Sequence, residues 1–385
     1  MAVAGQVAFG AHESSVAGSG YDLVARTDRE RILKAAEEYV NLEPQTLTFF
    51  RSDRSPGGSH DFFSQADYFW PDPKNPGGPY RERDGQSNPD NFTGHRKAMI
   101  ALSVQMPALT AAWLLTRNRR YGEKAAGHLR AWFVTPATRM NPNLEFAQGV
   151  VRGAMGRSWG IIDTLHLVEV ARAASIMRGA FLSPEDESAL KGWFRDYLQW
   201  LMTSKKGMAE RDAANNHGTC WALQVAEFAK LIGAEDTRDD LRERYKRVLL
   251  PNQMGQDGGF PLELKRTKPY SYSIFNLDVM AGLCQSLSRR GDDLFRFSLS
   301  DGRGICKGAA FLYPYLKDKG KWAYTKDVEH FDALPVRSPS LLFCGLACDR
   351  QEYLTLWTRL DPDPKDTEIV RNYPIRQPLL WMSRD

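Results

Sequence analysis

The chain has 385 residues, 42% of them hydrophobic, enough to bury a large core as one big domain or two smaller ones. Its 51 basic and 47 acidic side chains leave a formal net charge of +4. That balance is only mildly basic, and without a long Lys/Arg run it argues against nucleic acid as a partner.

Residues 1–20 are small, polar and rich in Gly, Ser and Ala, without the basic-then-apolar pattern of a signal peptide. A flexible segment is expected there, followed by a single domain over 21–385. Apolar residues then recur at three- and four-residue spacing through 28–40, 96–117, 121–134, 157–178, 184–203, 216–233, 238–249, 275–290 and roughly 303–315, which predicts helices. Ser183-Pro184-Glu185-Asp186 reads as an N-cap, a proline at the first helical position and acids in the first turn. Alternating strand patterns are scarce, and Leu47-Thr48-Phe49-Phe50 is the best short candidate. No apolar run is read as approaching the roughly 18–20 residues of a membrane span, so no membrane association is expected.

Many antiparallel helix pairs over about 300 residues, without a repeat of fixed period, predict an all-α fold. Stacked hairpins close into an (α/α) toroid rather than a four-helix bundle or a solenoid. Two long segments break the helical pattern: 51–95, rich in Pro, Gly, Asp and aromatics, and 251–274, with Gly255, Gly258, Gly259, Pro261 and Pro269. Loops of that length in a compact domain are functional or disordered, and their aromatic content favours the rims of a cleft. The five cysteines (Cys220, Cys284, Cys306, Cys344, Cys348) form no CxxC pair, and a bridge between Cys344 and Cys348 is left open. The seven histidines include no HExxH, so neither a catalytic metal nor another cofactor is indicated.

Two segments carry chemistry. Asn215-Asn216-His217-Gly218 opens a predicted helix, with Asn215 as its N-cap, and helix N-termini favour anions. Downstream, Glu263-Leu264-Lys265-Arg266-Thr267-Lys268-Pro269-Tyr270-Ser271-Tyr272 gathers three cations and two phenols. An arginine fork suits a planar carboxylate, and a tyrosine near Arg and His⁺ is expected to have its phenolate favoured. Taken singly, these segments also suit a capped core helix and a solvated basic loop.

Together they resemble the alginate-lyase superfamily of helical-toroid polysaccharide lyases, closest to polysaccharide lyase family 38. The resemblance extends to Ser59-His60-Asp61-Phe62, Ala66-Asp67-Tyr68-Phe69-Trp70-Pro71-Asp72-Pro73, Pro79-Tyr80 with Arg83-Asp84-Gly85-Gln86 and Asn88-Pro89, Asn141 to Gln148, and Gly156-Arg157. It covers roughly 48–290; the last hundred residues carry no motif that can be placed. It implies a secreted or periplasmic enzyme that breaks an anionic polyuronate by β-elimination. Asn216 and Arg266 would hold the substrate carboxylate, and Tyr272 would serve as base and acid with His217 beside it. Tyr270 is the rival for the catalytic tyrosine. Further substrate contacts are expected from a lid bearing Arg51, His60, Trp70, Tyr80 and Arg83, from an inner wall bearing Asn143, Gln148 and Arg157, and from Lys268 and Tyr270. The preferred unit is expected to be the mannuronate of alginate, with glucuronan as alternative. A toroid glycoside hydrolase, which needs two carboxylates across the cleft, and an inactive carbohydrate-binding protein are the competing readings.

Overall fold

The computed structural model describes residues 20–383, and helix forms 58% of it against 4% strand. The helices are α1 (Gly20–Tyr39), α2 (Gly94–Thr116), α3 (Arg119–Leu129), α4 (Leu167–Ile176), α5 (Pro184–Thr203), α6 (Lys205–Arg211), α7 (Asn216–Ile232), α8 (Glu235–Arg244), α9 (Leu250–Gln253), α10 (Pro261–Leu264), α11 (Pro269–Leu287), α12 (Ile305–Lys317), α13 (Pro339–Ala347), α14 (Gln351–Arg359) and α15 (Thr367–Arg371). Packed in successive pairs, they form the all-α toroid. Strand is confined to two small ribbons. β1 (Phe63–Gln65) runs parallel to β4 (Phe146–Gly149), and β2 (Phe69–Trp70) antiparallel to β3 (Arg81–Glu82). The flexible segment expected over 1–20 lies outside the described residues except for Gly20, which opens α1.

Two helices form the heart of the core. α7 packs against α4, α5, α6, α8 and α11, while α11 packs against α7, α10, α12 and α13. Every residue of α11 but Gln285 is buried. A helix apolar or tightly packed on all sides belongs inside a large core, and both helices point their first turns at one cleft.

Several expectations need correction. Leu47–Phe49 is a 3₁₀ turn, not a strand. The predicted helix over 157–178 is a 3₁₀ run, Ser158–Thr164, followed by α4. α11 starts at Pro269 rather than 275, because proline is well suited to a first helical turn. α2 (Gly94–Thr116) is long and apolar enough, by length and composition alone, to cross a membrane; here it is largely buried against α1, α3 and α4. Cys348 pairs with Cys306 at a Cα–Cα distance of 6.0 Å, not with Cys344, which is buried and free. The last hundred residues are integral to the core. Glu169 of α4 is fully buried and accepts from the Arg376 and Gln377 amides at 3.0 and 2.9 Å and from the Trp381 indole at 3.1 Å.

Candidate active site

A cleft of about 520 Å³ is lined by Asn216, His217, Arg266 and Tyr272 together with Gln148 and Arg157. The sequence brings these groups together through two helix starts. Asn215 caps α7, its side chain accepting from the His217 amide at 3.3 Å. Gly218 is required because a Cβ there would stand 2.3 Å from the Ala213 carbonyl oxygen. At the second start, Tyr272 lies in the first turn of α11 and Arg266 just ahead of it, the guanidinium carbon 4.5 Å from the Tyr272 ring centre. The two N-termini bias the cleft towards anions.

Each candidate catalytic side chain is held from behind by a carboxylate or a hydroxyl. His217 Nδ1 lies 2.5 Å from Glu210, which is fully buried, so the imidazole is oriented with Nε2 as its other face. Buried Glu263 accepts from the Asn216 amide N–H at 2.7 Å and from its side-chain NH₂ at 2.9 Å on each carboxylate oxygen. Burial pushes the Glu263 carboxyl up, against the pull of the Asn216 hydrogen bonds and of Arg266. Asp84 grips Arg266 in a fork, 3.1 Å to Nε and 2.6 Å to Nη2, leaving Nη1 unengaged by that carboxylate. The Tyr272 hydroxyl is 2.8 Å from that of Tyr68, which in turn donates to Glu368 at 3.3 Å.

The proton state of Tyr272 differs from the expectation. Burial is the largest influence and pushes the phenol up; Arg266 and the Tyr68 hydrogen bond pull it down but do not prevail. Glu368 behaves oppositely: burial opposes ionisation, yet Arg371, Lys268 and His330 together bring its carboxyl to about 2.

Of the cleft arginines, Arg266 is paired with Asp84, and Arg371 with Asp67 and Glu368 at 2.9 Å each. Arg157 differs. Its hydrogen bonds go to the carbonyl and side-chain oxygen of Gln148, at 3.1 and 3.2 Å, and its guanidinium lies 4.5 Å from the Phe69 ring and 4.9 Å from the Trp159 ring. Among the described residues it has no ion-pair partner, although the carboxylates of Glu82, Asp67, Asp163 and Glu210 act on it from further away. Gln148 holds a left-handed backbone (φ 49°), a strain of about 1 kcal/mol or more of the kind retained at functional sites.

Eight expected contacts fall outside this lining. Tyr270 is fully buried, donates to the Tyr315 carbonyl at 3.0 Å and packs on Trp322 and Phe331. Two residues along a helix is about 200°, so Tyr270 and Tyr272 face opposite ways. Lys268 is buried behind Tyr68, pairing with Glu329 and Glu368 at 3.5 and 3.4 Å. His60 is tied to the Arg139 carbonyl at 2.6 Å, Asn143 caps its own turn at the Glu145 amide, and Trp70 bonds the Gln86 carbonyl beneath the Arg83 guanidinium. Arg51 is exposed, and Tyr80 is tied by its amide to the Val151 carbonyl. Conversely, Tyr68, Asp84 and Glu263 sit inside motifs visible in the sequence without a role being assigned to them. Glu210, Trp159, Glu368 and Arg371 gave no local signal.

The alginate lyase family model matches residues 50–322. The chain belongs to the alginate lyase family. It is accordingly a polysaccharide lyase, with an anionic polysaccharide as substrate. Among solved structures, an alginate lyase from Bacteroides ovatus is 27% identical, with a TM-score of 0.80 over 96% of this chain and 100% of that one. A histidine-to-alanine variant of alginate lyase A1-III complexed with a tetrasaccharide shares the fold at 14% identity, TM-score 0.54, over 84% and 85% of the two chains. No curated protein sequence matches the chain.

Proposed function

We propose that this lyase cleaves β-1,4-linked polyuronate by syn β-elimination, with the mannuronate blocks of alginate as its preferred substrate, and that it needs neither a metal nor an organic cofactor. The observation that carries the reading is one cleft holding a buried phenol, Tyr272, between an aimed guanidinium and an oriented imidazole, beside the unpaired charge of Arg157. A uronate carboxylate meets Arg157 and the remaining Nη1 edge of Arg266, and Asn216 lies next to it. Withdrawing charge into that carboxylate stabilises the anion that forms as the C5 proton leaves. The Tyr272 oxygen takes the C5 proton and returns one to O4 as the C4–O4 bond breaks. The products are an unsaturated uronate and a new hydroxyl end. In β-mannuronate and β-glucuronate both reacting bonds lie on one ring face, so a single tyrosine reaches both. The resemblance to family 38 and the Cys306–Cys348 disulfide support a secreted or periplasmic site of action.

The test is a side-by-side panel of poly-mannuronate, poly-guluronate, glucuronan and hyaluronan, followed by the ultraviolet absorbance of the new C4–C5 double bond. Poly-mannuronate should be fastest. Faster cleavage of poly-guluronate, whose hydrogen and leaving group lie on opposite faces, would require separate base and acid and would overturn the syn assignment. Glucuronan faster than poly-mannuronate would keep the mechanism and replace the substrate.

A further inference from the structure

The helix that carries Tyr272 is not capped by its own sequence. Lys268, at the N-cap of α11, makes no side-chain cap bond, and Pro269 has no N–H to satisfy. The two amides that follow are instead taken by Asp327, 57 residues away along the chain from Tyr270: Tyr270 N–H donates to one carboxylate oxygen at 2.8 Å and Ser271 N–H to the other at 2.9 Å. The Tyr272 amide already bonds the Lys268 carbonyl at 3.0 Å, so Asp327 completes the first turn. It is buried, and its neighbours bind the same stretch. The Val328 amide donates to the Thr267 carbonyl at 3.1 Å, and Glu329 accepts from the Ser87 amide at 3.3 Å while lying 3.5 Å from Lys268. Gly85 (φ 76°) closes the junction, since a Cβ there would stand 2.4 Å from Thr267 Oγ1 and 3.1 Å from Val328. Asp327 lies beyond the stretch that the family model matches.

We propose that Asp327 is a positioning residue for the elimination: by capping α11 from a distant loop, it fixes where the Tyr272 hydroxyl stands relative to Arg266. The proposal rests on the reading of Tyr272 as the proton carrier. A buried carboxylate with both oxygens engaged by adjacent amides restrains that turn more tightly than a solvated cap can, and a misplacement of about 1 Å at a reacting group costs on the order of a hundredfold in rate.

The experiment compares Asp327→Ala and Asp327→Asn with Ser183→Ala, which removes the exposed cap of α5. Per folded enzyme, Asp327→Ala should lower kcat about tenfold or more with KM within about twofold. Asp327→Asn, keeping one acceptor, should fall between it and the wild type. Ser183→Ala should lower Tm and leave kcat alone. Wild-type kcat in Asp327→Ala, with a Tm loss like that of Ser183→Ala, would overturn the proposal. If the alanine variant does not fold, the asparagine variant decides alone: a kcat loss of about threefold at constant KM supports the proposal, and an unchanged kcat sinks it. Amide hydrogen exchange, measured without substrate, separates this claim from the lyase reading. Faster exchange at Tyr270 and Ser271 in the variants is expected, and unchanged exchange there would overturn the capping claim even if the wild type cleaved no polyuronate.

Discussion

Replacing Asp84 by asparagine should move kcat and KM in the same direction for different reasons. Asp84 accepts three hydrogen bonds, from Arg266 at 3.1 and 2.6 Å and from Thr267 at 3.0 Å. The amide keeps the size and one acceptor oxygen but loses the charge and half of the fork. Two unit charges about 4 Å apart attract by roughly 1 kcal/mol in water and roughly 4 kcal/mol at an effective dielectric of 20. Both side chains retain 29% exposure, so the lower end applies, about 1–2 kcal/mol. An Arg266 no longer aimed loses that much grip on the transition state, and about 1.4 kcal/mol is tenfold in kcat. The cleft meanwhile gains one positive charge, which should lower KM several-fold for a polyanion. Initial rates on poly-mannuronate at low and high salt separate the two effects: the KM gain should fade as salt screens it, while the kcat loss should persist. A raised kcat would refute the reasoning, since it would mean that Asp84 competes with the substrate for Arg266 instead of orienting it.

Tyr272→Phe should abolish turnover while leaving polymer binding nearly intact, because the ring stays and the proton carrier goes; binding by calorimetry and rates by ultraviolet absorbance check both halves. Tyr270→Phe should keep its rate and lose about 1 kcal/mol of stability with its bond to the Tyr315 carbonyl. Activity should survive EDTA; loss restored by Ca²⁺ would mean that a metal, not arginine, neutralises the substrate carboxylate. Burial raises the Asp278 carboxyl to about 7 despite bonds from Ser338 and Ser340. The folded state therefore binds the extra proton between pH about 4 and 7, and this group's contribution to stability falls as pH rises through that window, by up to about 1.4 kcal/mol per unit. Denaturant titrations of wild type and Asp278→Asn across that range should diverge accordingly, and parallel curves would rule this out.

What the sequence makes legible follows from how local each signal is. α5 is legible to the residue because its cap, first-turn proline and acids are contiguous. The start of α11 is not, because Pro269 is its one local signal and the cap that would confirm it comes from distant Asp327. The four candidate catalytic side chains can be picked out since they fall in two short motifs, yet their partners cannot. Glu210 is an ordinary helical acid until the chain folds it against His217, and Glu368 reaches Tyr68 across 300 residues. The expected lid residues lie outside the cleft lining for the same reason: ring and guanidinium content marks 51–95 as a whole, whereas the side chains that face the cleft there are Asp67, Tyr68, Phe69, Glu82 and Asp84.

The raised phenol of Tyr272 sets the last expectation. A tyrosine must shed its proton before it can take one from C5, and burial makes the phenolate rare in the resting site. Rarity has a compensation, because the same shift makes the phenolate a stronger base once formed. Below its pKa, the phenolate fraction rises tenfold for each pH unit, so kcat/KM should climb with pH through neutrality into the alkaline range until other groups titrate or the fold fails. In the resting site the single Tyr68 proton goes to Glu368 at 3.3 Å, itself held ionised at about 2; once Tyr272 loses its proton, the Tyr68 hydroxyl, 2.8 Å away, turns to donate to the phenolate and steadies it. Tyr68→Phe removes that donor, so its pH–rate profile should shift to higher pH with little change in polymer affinity. A profile that stays level from neutral to alkaline pH in the wild type would contradict a phenolate base and move the proton abstraction to His217, whose Nε2 faces away from Glu210.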